Sequence, residues 1–230
     1  MEKIFQFEYN GNQATVIVPE NANGEWIWKT EFFKAFDQAE RALLQDGYTR
    51  VYYSVSDRYG SYQAIRLMHK FYSHVIRAFH LREKAHLFGF SRGGLYAFNF
   101  ALFYPEYVAS VYLDAPVLDM KSWPPKGSAE QKELFEEYTL NEDTLPLFRE
   151  NPLDNLEEFF SHQIPLMIVA GDADSLVPLA ENAAILLEYC KEHGIAVEQV
   201  IKKGCEHHPH SLEDVTPIAN FVKKNSIQTA

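Results

Sequence analysis

Residues 89–94 read Gly89-Phe90-Ser91-Arg92-Gly93-Gly94, and they lie where a short apolar run at 85–90 meets a helix-like segment at 95–104. A serine between glycines at such a strand-to-helix junction is typical of a sharp turn that exposes the hydroxyl at the end of a sheet strand. Glycines are needed there because neighbouring chains come close on both sides of so tight a turn. The stretch predicts Ser91 as a nucleophile, with a structural role in the turn as the alternative.

Two more polar segments follow predicted strands further along the chain. The first, Gly171-Asp172-Ala173-Asp174, follows an apolar run at 165–170, and the second, Gly204-Cys205-Glu206-His207-His208, follows a run that ends near residue 202. Carboxyl ends of parallel strands meet at one edge of a sheet, so a serine, a carboxylate and a histidine are expected to lie together there. These are the groups that nucleophilic catalysis by serine requires.

Most of the chain alternates between strand and helix patterns, which predicts a parallel sheet. An initial hairpin is an exception, because Asn10-Gly11 separates two alternating strands and tolerates the positive φ of a tight turn. Strands are predicted at residues 4–9, 14–18, 24–29, 50–55, 85–90, 108–113, 165–170 and 196–201. Helices are predicted at residues 32–43, 62–79, 95–104, 179–192 and 212–224. Residues 115–163 interrupt the alternation with short helices predicted near 129–139 and 141–150, which indicates an insertion or cap.

The ordered serine, acid and histidine motifs resemble those of the α/β-hydrolase family over nearly the whole chain. The resemblance implies an α/β-hydrolase fold, in which a mostly parallel central sheet of about eight strands carries helices on both faces. It also implies a single domain over residues 1–230, with a small cap insertion at about 115–163. The string His207-His208-Pro209-His210-Ser211-Leu212 resembles a subgroup of small bacterial hydrolases that are linked by analogy to carbohydrate esters.

The same resemblance assigns the catalytic residues. A G-x-x-D-x-x-V-P pattern points to Asp174 as the acid, with Asp172 as the lesser candidate and helix capping as the structural alternative for Asp174. A G-x-G-H pattern points to His207 as the base, but Glu206 stands where the second glycine is expected. His208 is therefore the alternative base.

An oxyanion hole needs two backbone N–H donors beside the nucleophile. The family places one on the residue after the serine, here Arg92, and the other after the third strand, here near Thr30 or Glu31. Lipase-like members carry an HGGG-type stretch at this second place, whereas this chain reads Trp28-Lys29-Thr30-Glu31.

Asp57, Asp114 and Trp123 are candidates for the substrate pocket because they follow predicted strands or lie in the cap. Each has a structural alternative: turn formation for Asp57, hydrogen bonding within the fold for Asp114, and packing inside the cap for Trp123. Asp114 is also an alternative acid, because it too ends a predicted strand.

The expected function is a serine esterase that cleaves carboxylic esters through an acyl-enzyme intermediate. Its partner would be a small-molecule ester, with acyl groups on carbohydrate or another polar small molecule as the suggested substrates. An amidase or peptidase that uses the same residues is one alternative, and a non-catalytic ligand-binding homologue is another.

Composition narrows the class of protein. The chain has 230 residues, is 47% hydrophobic and 23% charged, and carries a formal net charge of −11 with no basic run, which argues against nucleic acid and membrane surfaces as partners. Without a basic, apolar N-terminal pattern or a long apolar segment, a cytoplasmic protein is expected. Its cysteines, Cys190 and Cys205, are expected to be free thiols. No pattern specifies an oligomeric state.

Clustered histidines are potential metal ligands, and His207, His208 and His210 are close in sequence. The HExxH spacing is absent and the sequence shows no carboxylate partner for them. No metal and no cofactor are therefore expected.

Overall fold

The computed structural model describes residues 2–226, so Met1 and residues 227–230 of the predicted domain lie outside the described range. Its strands are β1 (Lys3–Tyr9), β2 (Asn12–Val18), β3 (Trp26–Lys29), β4 (Thr49–Tyr53), β5 (Ala85–Phe90), β6 (Val108–Asp114), β7 (Leu166–Gly171) and β8 (Glu198–Lys202). Its α-helices are α1 (Gln38–Gln45), α2 (Tyr62–Ala78), α3 (Gly93–Phe103), α4 (Ala129–Tyr138), α5 (Leu156–Ser161), α6 (Ala183–Glu192) and α7 (Thr216–Lys224).

The strands form one 8-stranded sheet in the order β1-β2-β4-β3-β5-β6-β7-β8. The pairs β1/β2 and β2/β4 are antiparallel, and every pair from β4 through β3 to β8 is parallel. The predicted mostly parallel sheet is therefore confirmed. In its centre Phe90 of β5 is in register with Asp114 of β6, so the turn that holds Ser91 emerges beside the end of β6.

Alternate side chains of the central strands enter two different cores, because successive residues of a strand point to opposite faces. Leu87 of β5 packs in the core beneath α2, α3 and α6, whereas Phe88 and Phe90 pack in the core beneath α1 and α7. Helices thus cover both faces, as predicted.

Helix α3 follows the Ser91 turn directly and is buried on all sides. Every residue from Gly93 to Leu102 is buried, which explains why this helix has almost no polar face. A helix enclosed in this way holds the turn at its N-terminus in a fixed position.

Four predicted helices differ from the structure, including the one expected at 179–192, which begins with a 3₁₀ turn, Leu179–Glu181, and becomes α6 only at Ala183. The first begins at Gln38 rather than at 32, because Phe32 and Phe36 have left-handed backbone conformations with φ of 54° and 49°. The helix expected at 141–150 is only a 3₁₀ turn, Leu145–Leu147, with Pro146 at its start. The last helix begins at Thr216 rather than at 212, since the chain before it forms turns that follow the histidine segment.

The insertion between β6 and β7 contains α4 and α5, and it packs on the surrounding fold through a third apolar cluster. In that cluster Trp123 and Leu134 of the insertion pack with Tyr59 and Leu95 of the surrounding fold. Within residues 2–226, no helix combines the length and apolar character needed to cross a lipid bilayer.

Candidate active site

Ser91 occupies a strained turn at the end of β5, with a left-handed φ of 50°. The turn is possible only with glycines around it: a Cβ on Gly89 would lie 2.8 Å from Ala97 Cβ, and a Cβ on Gly94 would lie 2.7 Å from Pro116 Cβ. The backbone of Ser91 itself is held to the next strand, because its N–H donates to Asp114 O at 2.9 Å.

A continuous hydrogen-bonded chain joins Ser91, His207 and Asp174. Ser91 Oγ lies 3.0 Å from His207 Nε2, and His207 Nδ1 lies 2.7 Å from Asp174 Oδ2. All three residues are buried, and Asp174 Oδ1 accepts N–H bonds from Leu176 at 3.0 Å and Val177 at 2.8 Å. Since the ionised carboxylate only accepts, Nδ1 carries the imidazole proton and the Nε2 lone pair faces the serine hydroxyl.

The segment that carries His207 is attached to the segment that carries Asp174. Glu206, which replaces the glycine of the family pattern, accepts hydrogen bonds from the Ser175 N–H at 3.2 Å and the Ser175 hydroxyl at 3.0 Å. The backbones also touch, since a Cβ on Gly171 would lie 2.1 Å from the carbonyl oxygen of Cys205. The lesser acid candidate, Asp172, instead accepts from the Gly204 N–H at 2.5 Å.

His208 lies beside His207 but makes different contacts. Its ring is exposed and stacks on Phe36, with the ring centroids 5.5 Å apart. Among residues 2–226, no hydrogen bond joins that ring to Ser91 or to a carboxylate. The structure therefore brings His207, and not the alternative base, to the serine.

A second buried Asp–His pair lies next to the first. Asp114 Oδ1 accepts from His210 Nδ1 at 2.8 Å, and Asp114 Oδ2 accepts from the Ser211 N–H at 2.8 Å and from the Tyr112 hydroxyl. Asp114 is fully buried and does not line the pocket, so its candidacy as a pocket residue is wrong. As an acid, Asp114 is paired with a different histidine. The sequence named His210 only as a potential metal ligand and did not predict its pairing with Asp114.

The backbone N–H groups of Arg92, which follows Ser91, and of Glu31, whose nitrogen lies close to Gly93, have no protein acceptor within residues 2–226. The amide of Thr30, also named from the sequence, donates to Phe88 O at 3.0 Å as the end of the sheet ladder. The Thr30 hydroxyl bonds Phe88 O at 3.1 Å and Gly93 O at 2.9 Å, which attaches the loop after β3 to the turn that holds Ser91. Thr30 is therefore wrong as the second donor, and Glu31 is the residue available for that part.

Side chains next to these amides form a charged network. Arg92 lies 3.1 Å from Glu31 and 3.2 Å from Asp57. Glu31 is buried and accepts from the Ser56 hydroxyl at 2.7 Å. Burial raises the pKa of the Glu31 carboxyl, and the Arg92 guanidinium acts in the opposite direction. Asp57 is largely exposed, does not line the cavity around Ser91 and is paired with Arg92, so its role in a substrate pocket stays a prediction.

Buried cations hold the loop at 31–37 against the sheet. Lys29 Nζ donates to Glu40 at 2.8 Å and to Ala35 O at 3.1 Å, while Arg50 donates to Phe33 O at 2.9 Å. Burial lowers the pKa of Lys29, and the Glu40 carboxylate opposes the shift. These contacts fix the amide of Glu31 and the aromatic side chains of the loop.

Ser91 opens into a cavity of about 310 Å³. Its walls combine apolar, histidine and charged side chains: Phe32, Ala35, Phe36, Ser91, Arg92, Trp123, Glu130, Leu176, His207, His208 and His210. Trp123, named from the sequence, is thus in the wall as well as in the apolar cluster of the insertion. The phenylalanines, Leu176 and Glu130 were not predicted, because no motif marks a residue that reaches a pocket from a loop.

Comparisons with solved structures show the fold. The chain aligns with Porphyromonas gingivalis dipeptidyl peptidase 4 (TM-score 0.70, 14% identity), over 98% of this chain but only 35% of the peptidase. It aligns with an S-formylglutathione hydrolase from Agrobacterium tumefaciens (TM-score 0.67, 17% identity), over 97% of this chain and 92% of the other. FphF, a fluorophosphonate-binding serine hydrolase of Staphylococcus aureus, aligns over 98% of both chains (TM-score 0.73, 14% identity).

This chain spans about a third of the length of the dipeptidyl peptidase, and it is comparable in length to the other two proteins. No curated protein is significantly similar to it in sequence. The family model of the prolyl oligopeptidase family matches residues 55–227, from the end of β4 through the segments that carry Ser91, Asp174 and His207. With this match over most of its length, the chain belongs to the prolyl oligopeptidase family and is a serine hydrolase of the α/β-hydrolase fold.

Proposed function

We propose that this serine hydrolase cleaves carboxylic esters through an acyl-enzyme intermediate. The observation that carries the proposal is the buried chain from Asp174 through His207 to Ser91, which ends in a cavity that Arg92 also lines. Among residues 2–226, the N–H groups of Arg92 and Glu31 have no protein acceptor. Nucleophile, base and oxyanion donors thus meet at one point, as acyl transfer requires.

The proposal gives each group a role. Ser91 Oγ attacks the carbonyl carbon while its proton passes to His207 Nε2, and the N–H groups of Arg92 and Glu31 stabilise the oxyanion. The imidazolium, stabilised by Asp174, then protonates the departing alcohol, leaving an acyl group on Ser91. Water then attacks the acyl carbon while its proton passes to His207, the bond from that carbon to Ser91 Oγ breaks, and the carboxylic acid leaves as His207 returns the proton to Ser91.

Cavity size favours a small acyl group. About 310 Å³ is at the lower end of the roughly 300–1,000 Å³ typical of ligand pockets. Phe32, Phe36 and Leu176 offer apolar surface, whereas Glu130 and His208 bring polar groups to the same wall. We propose a small acyl ester of a polar alcohol, with acylated carbohydrate as one member of that class because the Trp123 ring lines the cavity.

Peptide or amide cleavage is the second candidate, and the family match favours it. The small cavity favours the ester, and the alignments with the S-formylglutathione hydrolase and FphF are compatible with it. The resemblance of the histidine string to small bacterial esterases points the same way. A cytoplasmic location stays a prediction from composition.

A fluorophosphonate probe and a substrate panel test the proposal. The wild type should be labelled and should hydrolyse short acyl esters, including acetylated sugars, faster than aminoacyl anilides. Ser91→Ala should lose labelling and turnover, and His207→Ala should lose turnover while His208→Ala keeps most of it. Labelling that survives in Ser91→Ala rejects the nucleophile; preferential turnover of anilides favours the peptidase; ligand binding without labelling or turnover favours a non-catalytic homologue.

A further inference from the structure

The histidine segment brings three imidazoles together at the cavity wall. Each of His207, His208 and His210 offers a ring nitrogen, and these three atoms lie within 4.8 Å of one another. The three rings meet edge to face, with centroid separations of 4.8 to 4.9 Å. Imidazole nitrogens are among the preferred ligands of Zn²⁺.

The carboxylate partners that the sequence does not reveal are present in the fold. His207 donates its Nδ1 proton to Asp174 at 2.7 Å, and His210 donates its Nδ1 proton to Asp114 at 2.8 Å. A carboxylate on one ring nitrogen fixes the tautomer and leaves the other nitrogen unprotonated, which is the arrangement found behind metal-bound histidines. Both rings line the cavity, and within residues 2–226 no protein group bonds to Nε2 of His210.

We propose that His207, His208 and His210 form a reversible inhibitory site for Zn²⁺. Two of the ligands are preoriented by buried carboxylates, and the third, His208, is exposed and supplies the adjustable side. Tetrahedral ligands at 2.0–2.1 Å from zinc lie about 3.4 Å apart, so the nitrogens must approach by up to about 1.4 Å. The proposal requires the three rings to rotate inward by that amount on binding, and Glu130 lines the same cavity as a potential fourth ligand.

Inhibition follows from which lone pair the metal takes. In the free protein His207 Nε2 lies 3.0 Å from Ser91 Oγ and is the only nitrogen positioned to accept the serine proton among the described residues. Zinc bound to this nitrogen occupies the lone pair, so the serine hydroxyl can no longer transfer its proton. This inhibitory part rests on the proposed function, whereas zinc binding does not.

Zinc binding is measured first without any substrate, by competition with a chromophoric chelator on the Ser91→Ala protein. One zinc ion per chain is expected. In that background His208→Ala should weaken binding by at least about tenfold, since even removal of an outer partner of a metal ligand costs about 10–100-fold in affinity. His193→Ala, which removes an exposed histidine that contacts Tyr189 at the end of α6, should bind zinc as the parent does. Cys205→Ser removes the nearby free thiol, and this variant should still bind zinc if the histidines are the ligands.

Absence of binding, equal affinities of His208→Ala and His193→Ala, or loss of binding in Cys205→Ser alone would overturn the site. Hydrolysis by the wild type should be inhibited by zinc and recovered on addition of EDTA. Binding without inhibition would overturn the assignment of His207 as a ligand. If no ester is hydrolysed at all, the proposed function fails, and the chelator titration still decides the metal site.

Discussion

Asp174→Asn tests the hydrogen-bonded chain most directly, because it changes one atom and leaves the shape of the site intact. The asparagine oxygen can still accept from the Leu176 and Val177 amides, so its NH₂ group must face His207 Nδ1. The imidazole then has to accept at Nδ1 and carry its proton on Nε2, and it can no longer accept the proton of Ser91. In serine proteases the corresponding change lowers kcat by about 10⁴-fold, which is about 5.4 kcal/mol of transition-state stabilisation.

Asp172→Asn is the matched control in the same turn. Its side chain accepts from the Gly204 amide, an interaction that the asparagine oxygen retains, and that carboxylate makes no hydrogen bond to His207. We expect kcat on a p-nitrophenyl ester and the rate of fluorophosphonate labelling to fall steeply in Asp174→Asn and to remain near wild type in Asp172→Asn. Thermal unfolding of both variants checks that the fold is kept. A loss below about tenfold in Asp174→Asn, or equal losses in the two variants, would refute the tautomer argument.

Three further predictions concern stability and reactivity. Gly171→Ala places a Cβ 2.1 Å from the carbonyl oxygen of Cys205, so we expect reduced activity and a loss of unfolding free energy of about 1–3 kcal/mol or more, seen as a lower unfolding midpoint. An unchanged midpoint would show that the segments carrying Asp174 and His207 separate easily. Burial raises the pKa of the Cys190 thiol to about 11, so Cys190 should resist alkylation in the folded protein and react after unfolding. Mass spectrometry of the labelled peptides measures this, and alkylation of Cys190 before Cys205 in the folded protein would disprove it. Burial raises the pKa of Glu31 in the folded state above 4.5, the ordinary carboxyl value. Between these two pKa values the folded protein binds more protons than the unfolded chain, so its stability decreases as the pH rises from 4.5 through the raised pKa. Denaturant titrations should therefore show the wild type losing free energy of unfolding relative to Glu31→Gln over that interval, and parallel pH profiles would contradict the assignment.

Local sequence patterns were enough to predict much of the fold. The alternation of strands and helices and the glycine-flanked Ser91 depend on contacts between residues near in sequence, namely hydrogen bonding along elements and the steric demands of one turn. The sheet, the hairpin at Asn10-Gly11 and the insertion before β7 follow that pattern. Local patterns failed where distant groups override them, as in the loop at 31–37, where Lys29 and Arg50 bind backbone carbonyls and the aromatic spacing does not continue as helix.

The sequence motifs reduced the candidates for the catalytic serine, acid and histidine to a few residues. Each candidate follows the end of a predicted strand, and parallel strands bring those ends together at one edge of the sheet. Only the folded chain separates His207 from His208, because that choice depends on which ring nitrogen reaches Ser91 across more than a hundred residues. Likewise, only the fold shows that the Thr30 amide is already bonded within the sheet, which excludes it as an oxyanion donor. The pairing of Asp114 with His210 and the side chains of the cavity wall are decided in the same way, by contacts between segments distant in sequence. Neighbouring residues set a local conformation, but the direction in which a side chain points into a shared cavity is set by the packing of all the segments that enclose it.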